Sequence, residues 1–326
     1  MRTNTQKRSL ASAIVLALCP IIFDSNPAGA QALAGKRAPS QIIATAPDDQ
    51  WRTVNPAKLV VMELSRGRVF IELSDRLAPN HVGQMQNLVK GGFYDGLSFY
   101  RVIEGFVAQG GDPFEERVVP DGVKENLVAE IEHIFMEDEA DIDSVLPGFA
   151  NAGDGYAQTA TGWLDGIPIG VEWTNSIFIR WPLHCTGAFA FGRNNDPDSA
   201  STEFYITLQP QRYLDRNLTI FGRVIDGMDH IQALTRQLPP EAETDPLGDE
   251  IRRVWMGDAP PEGETTPVWQ VFRTDNALFA DYVESRRNRP EAFFFHRPDY
   301  VDVCQVTIPV RMASPANNTV SAKPNE

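Results

Sequence analysis

Between Lys58 and Asp258 the chain is built from short apolar runs broken by turn residues, and few stretches keep a helical period. KLVVMEL (Lys58–Leu64) and RVFIEL (Arg68–Leu73) are separated by Ser65-Arg66-Gly67. Their β-branched and apolar residues suit a pleated, buried surface, so the pair reads as a hairpin. LSFYRVI, FVAQGG, Gly187–Phe191, Glu203–Leu208, Thr219–Val224 and Glu250–Asp258 share that strand character. Helical spacing places Val82, Met85, Leu88 and Val89 on one face, with Asn80 as the cap and Gly91-Gly92 as the stop. A second helix opens near Asp226. Many strands and few helices predict a mainly β protein, a barrel with helices at its ends.

The ends of the chain read differently. Arg2, Lys7 and Arg8 precede an apolar run, Leu10–Phe23, and then Ala28-Gly29-Ala30. Basic, apolar and small segments in that order predict a signal peptide over residues 1–30, cleaved after Ala30. Export across an inner membrane, placement in the periplasm and a mature chain without a membrane span follow from it as expectations. Residues 31–50 read as a flexible leader. Residues 51–258 hold the main domain, with 113–183 as an extended insert containing an acidic run, Glu137–Asp143. That run lacks the regular ligands and sharp-turn glycine of a calcium loop, and no metal site is expected. Ala259–Pro267 is a linker, 268–311 a small annex with one amphipathic helix, and 312–326 a polar tail. The formal net charge is −15, so the chain repels phosphate backbones and nucleic acid is excluded as a partner. Removing the signal segment leaves Cys185 and Cys304, which in an oxidising compartment either pair or stay buried as thiols.

Four blocks carry a family resemblance: VFIELSDRLAPNHVGQMQNLVKGGFYDGLSFYRVI, GFVAQGGDP, NNDPDSASTEFYITL and YLDRNLTIFGRVIDGM. In this order they resemble the cyclophilin-type peptidyl-prolyl cis-trans isomerases, over roughly residues 55–112 and 184–258. The resemblance implies a closed eight-stranded antiparallel barrel capped by two helices, here with an inserted loop region and a C-terminal α+β annex. It also implies the site. Arg101 is the catalytic cation, and Gln109 hydrogen-bonds the substrate backbone beside it. Phe106, Val107, Tyr205 and Leu214 wall the proline slot, with Tyr213 and Leu218 at its rim. Asn194 lies where main-chain groups pair with a bound peptide, as an added strand does. Tyr213 replaces the tryptophan that some members carry, so weak cyclosporin sensitivity is expected. Tyr205 replaces a phenylalanine, and its hydroxyl needs a partner or it narrows the slot. Phe99 reads as core, and His184 as a satisfied histidine rather than a ligand.

The chemistry follows from the bond itself. Rotation about a prolyl amide is opposed by about 18–20 kcal/mol because the nitrogen lone pair is delocalised into the carbonyl. That pair localises on nitrogen when the amide twists. A permanently charged, planar guanidinium aimed at the nitrogen binds the twisted state better than either planar state. No cofactor is needed. The implied partners are proline-containing peptides or unfolded exported proteins, the default state is a monomer, and the alternative is a peptide-binding chaperone or adaptor with little turnover.

Overall fold

The computed structural model describes residues 36–136, 160–174, 177–242, 247–297 and 300–313. The signal-like segment, the acidic run Glu137–Asp143 and the end of the polar tail lie outside the described residues. In chain order the strands are β1 (Trp51–Thr53), β2 (Leu59–Leu64), β3 (Gly67–Leu73), β4 (Ser98–Val102) and β5 (Val107–Gly111). Then come β6 (His133–Met136), β7 (Ala160–Leu164), β8 (Ile167–Thr174), β9 (Ile177–Pro182) and β10 (Ala188–Phe191). β11 (Phe204–Thr207), β12 (Ile220–Asp226), β13 (Asp249–Met256), β14 (Trp269–Phe272) and β15 (Val310–Met312) complete them. The helices are α1 (Pro39–Ala44), α2 (Pro79–Lys90), α3 (Met228–Gln232) and α4 (Ala277–Arg287).

Eight of these strands close an antiparallel barrel in the order β10-β11-β5-β4-β13-β2-β3-β12. The expected hairpin is β2–β3, in register from Leu59↔Glu72 to Leu64↔Gly67. Its runs read as almost continuously apolar because both faces are buried. Val60, Met62, Val69 and Ile71 point into the barrel, while Leu59, Val61 and Phe70 point out into a second core. Phe99, Phe189, Phe191, Phe204 and Phe221 pack the interior, with ring centroids 4.5 to 5.6 Å apart. Helix α2 closes one end with Val82, Met85, Leu88 and Val89. Packing of this kind leaves an interior without a channel, so any peptide site lies on the outer face.

The helix ends differ from the sequence reading. Asn80 is not the cap: α2 starts at Pro79, and the Asn80 and His81 N–H groups donate to the Glu130 carboxylate at 3.1 Å. Glu130 lies in the insert and also meets His81 Nδ1 at 2.7 Å. The second helix is a single short element, α3, entered through Gly227 at φ +84°. A side chain there would meet the Arg68 carbonyl oxygen at 2.4 Å, so only glycine fits.

The insert is not simply a loop. It holds a four-stranded antiparallel sheet in the order β6-β9-β8-β7. Its β7–β8 hairpin turns on Asp165 (φ +51°) and Gly166 (φ +83°), a two-residue connection with Leu164 opposite Ile167. Positive φ at both central residues is the mirror-image turn that matches strand twist, and Asp-Gly is its preferred pair.

The flanking segments also depart from the reading. Residues 31–50 are not a leader throughout, since α1 buries Ile42 and packs on α4. β1 joins β14 and β15 in one sheet, order β1-β14-β15, so the annex takes a strand from before the barrel. Ile42, Trp51, Trp163, Trp181, Trp255, Trp269, Phe272 and Phe279 belong to a core shared by annex, insert and outer barrel face. A buried ion cluster binds the same three parts: Arg52 Nη2 reaches Glu72 at 2.8 Å and the Asp165 carbonyl at 2.6 Å, while Arg223 meets Glu72 at 3.4 Å. Cys185 and Cys304 are joined as a disulfide, their Cα atoms 4.9 Å apart.

Candidate active site

Arg101 on β4 lies directly opposite Gln109 on β5, and Gln109 directly opposite Tyr205 on β11. Opposed residues share a sheet face, so three adjacent strands present these side chains together. β4 is irregular between Ser98 and Arg101, and the consecutive residues Tyr100 and Arg101 both reach Gln109. Arg101 Nη1 donates to Gln109 Oε1 at 3.1 Å, and Gln109 Nε2 donates to the Tyr100 hydroxyl. The Arg101 guanidinium also lies 5.4 Å from the Phe106 ring centroid, a cation–π contact. Among the described residues no carboxylate pairs with it.

The apolar part lies alongside. Val107, Ala188, Ala190, Tyr205 and Ile220 form a small buried cluster, with Phe106 and Leu218 packed against it. Tyr213 stacks on Phe106, centroids 6.5 Å apart, and is itself 59% exposed. Leu214, in the short turn Arg212–Leu214, lines an open cleft of about 760 Å³ together with Arg193, Asn194, Tyr213 and Leu218. Arg193 and Asn194 also line a second cleft, of about 710 Å³, whose wall includes Tyr100, Gln109 and Glu203. The two therefore adjoin. Inserted residues Glu115, Arg117, Val119 and Val123 extend the wall of the second cleft.

Asn194 is less open than the sequence implied. Its N–H donates to Ser199 Oγ at 2.9 Å, and its carbonyl accepts from Arg193 Nη1 at 2.6 Å. The carbonyl keeps a second lone pair for a peptide N–H. Arg193 reaches across to the Asn217 carbonyl at 2.8 Å, tying the two rims of the larger cleft.

The Tyr205 hydroxyl has its partner. His184 Nε2 lies 2.8 Å away, His184 Nδ1 is 3.0 Å from Asp215 Oδ1, and Arg212 Nε binds Asp215 Oδ2 at 2.5 Å. The hydroxyl thus points into a buried polar chain, while the ring belongs to the small apolar cluster. Burial, then the Asp215 charge, raises the Tyr205 pKa.

Glu203 was missed by sequence reasoning. It precedes Phe204 at the start of β11, and its Oε1 accepts the Asp112 N–H at 2.7 Å. Its Oε2 is buried without a hydrogen-bond partner. Burial pushes the carboxyl up to about 7, and Asp112 and Glu115 add to the rise. Tyr100, against it, is raised well above its ordinary value by burial and by the Glu203 charge. An acid interrupting the otherwise apolar and hydroxylic run TEFYITL was the available signal.

Among the described residues no cluster of histidine, cysteine and carboxylate is placed to hold a metal, and no helix is long and apolar enough to cross a membrane. An arginine, an amide and a small apolar cluster thus stand together on neighbouring strands of the barrel. The family model for cyclophilin type peptidyl-prolyl cis-trans isomerase/CLD matches residues 59–254, and the chain belongs to that family. A Brucella suis protein named "Probable peptidyl-prolyl cis-trans isomerase" is 29% identical over 184 residues, covering 56% of this chain and 74% of that one. Peptidyl-prolyl cis-trans isomerase ppi1 of Schizosaccharomyces pombe is 31% identical over 170 residues, covering 52% and 79%. The crystal structure of cyclophilin AquaCyp293 from Hirschia baltica superposes with a TM-score of 0.64 at 29% identity, covering 86% of this chain and 99% of that chain.

Proposed function

We propose that this cyclophilin-type isomerase acts on X-Pro bonds of unfolded exported proteins, with Arg101 stabilising the twisted amide. Unaided prolyl isomerisation takes tens of seconds or more, slow enough to limit folding. The observation that carries the reading is a guanidinium held by an amide and an aromatic ring, with no carboxylate partner among the described residues. Such a cation is oriented but not neutralised, so its field remains for the amide nitrogen. Phe106, Val107, Tyr205 and Leu214 supply the apolar slot, and Gln109 serves the peptide backbone. The signal-like segment and the Cys185–Cys304 bridge support export to an oxidising compartment, the periplasm.

The test is an exchange assay on a short X-Pro peptide with the chain from Gln31 and its Arg101→Ala variant. The variant is expected to lose on the order of a hundredfold in kcat/KM, about 2.7 kcal/mol of transition-state stabilisation, with an unchanged circular dichroism spectrum. Activity within twofold of wild type would remove Arg101 from the mechanism. The second reading, a peptide-binding chaperone with little turnover, draws on the Arg193–Asn217 tie across the cleft. Peptide binding without acceleration in the wild type would select it.

A further inference from the structure

The amide of Gln109 can face Arg101 in two ways, and only one helps. With Oε1 toward the guanidinium it accepts a hydrogen bond, as it does here at 3.1 Å. With Nε2 toward the guanidinium, two donors oppose each other and the anchor is lost. What decides between them is the hydroxyl on the far side. Tyr100 accepts from Gln109 Nε2, so its own proton must go elsewhere. Glu203 lines the same cleft wall as Tyr100, seated against the backbone of β5, and its buried Oε2 has no hydrogen-bond partner here. Gly111, at φ +144°, makes the seat: a side chain there would stand 2.2 Å from Glu203 Oε1.

We propose that Glu203 is a positioning residue for the reaction: through Tyr100 it sets which way the Gln109 amide faces Arg101, and its charge state selects the orientation. This rests on the isomerase reading above. An ionised Glu203 is an acceptor only. The Tyr100 proton turns toward it, the phenol oxygen accepts from Gln109 Nε2, and Oε1 is left for Arg101. A protonated Glu203 donates to the phenol oxygen. The phenol proton then turns to Gln109, which offers Oε1, and Nε2 swings to Arg101. The only proton gained or lost is exchanged with solvent through the adjoining cleft, which Glu203 lines.

The surroundings place the switch in a usable range. Tyr94 and Tyr100 face the carboxyl, as do Asp112 and Glu115 from the end of β5 and the residues after it. Arg101 is the cation next to the phenol. Of the other charges in the cleft wall, Arg117 is held by the Phe93 and Asp95 carbonyls and Arg193 by those of Asn194 and Asn217, while Glu125 completes the set. Burial dominates and holds the group near neutrality, at about 7.

The experiment follows kcat/KM for an X-Pro peptide from pH 5.5 to 9 in wild type, Glu203→Gln, Glu203→Leu and Tyr100→Phe. Wild type is expected to lose about tenfold between pH 8 and pH 6, the change for a single group titrating near 7. Glu203→Gln, which cannot titrate and, like the protonated acid, offers a donor beside its acceptor, gives a flat profile near the wild-type value at pH 6. Glu203→Leu and Tyr100→Phe give flat profiles about tenfold below the wild-type value at pH 8. A flat wild-type profile, or a slope that survives in Glu203→Gln, overturns the proposal. If no variant catalyses at any pH, the isomerase reading fails, and the nitrogen NMR signal of the Gln109 side-chain amide decides this one. It titrates near pH 7 in wild type and not in Tyr100→Phe if the relay exists; a signal that does not titrate in wild type overturns it.

Discussion

Tyr205 ends a series of four polar residues that runs through His184 and Asp215 to Arg212. With His184 Nδ1–H donating to the Asp215 carboxyl, Nε2 is left to accept a hydrogen bond from the Tyr205 hydroxyl. Tyr205→Phe leaves that buried nitrogen without a partner. A loss of about 1–3 kcal/mol in urea unfolding is expected, with the apolar ring still in place. Glu203→Gln has the opposite sign, and the linkage fixes its pH range. The folded-state pKa is raised from 4.5 to about 7, so the folded protein holds the proton longer than the unfolded chain. Wild-type stability therefore falls as pH rises from about 4.5 to 7 and is level above it. The variant escapes that loss, so its advantage is absent at pH 4 and reaches roughly 3 kcal/mol above pH 7. Equal stability of the two proteins at pH 8 would contradict the buried charge. Strands β4, β5 and β11, which bring Arg101, Gln109 and Tyr205 side by side, were legible as short apolar runs. Glu203 was not, because its depth depends on Gly111 in another strand, and sequence distance does not show a seat.

Among the elements, α2 shows how a long-range partner replaces a local signal. Glu130 fills the place of an N-cap side chain from 50 residues away, accepting both the Asn80 main-chain and side-chain donors. A negative charge there also meets the positive end of the helix dipole. Glu130→Ala is expected to cost about 1–2 kcal/mol and to raise amide exchange in the first turn of α2. Exchange confined to β6–β9 instead would mean the acid serves the insert alone. The hairpins of the barrel were readable from apolar runs and turn residues. The inserted sheet was hidden by its own composition, since glycine at 162, 166 and 170 looks like loop. Gly170 faces the Trp181 ring closely enough that a side chain would stand 2.6 Å from it, so the glycine makes room for the tryptophan. The Asp165-Gly166 pair was the usable clue. The interior of the barrel was legible for the opposite reason: its phenylalanines sit in strands whose register leaves them no other face.

At the scale of the whole molecule, the parts outside the barrel cohere through one core, one ion cluster and one covalent link. That organisation has a mechanical consequence. β1 and β15 lie on either side of β14, both antiparallel to it, with Trp51 level with Phe272 and Met312 level with Trp269. A load applied between residues 51 and 312 therefore pulls the two outer strands in opposite senses along their length. The hydrogen bonds of the sheet are strained together in shear rather than peeled one by one. Once that clasp yields, tension runs through the chain to Cys185, crosses the bridge and leaves at Cys304. The 119-residue separation between the cysteines is bypassed, and β10 to β14 with α4 carry no force. Single-molecule extension should release this hidden length only after reduction, as a step absent from the oxidised protein; the same extension in both states would mean the bridge is not on the force path. A pull that unravels the insert and the first half of the barrel would leave the strands bearing Tyr205 and Glu203 enclosed in an unstretched loop.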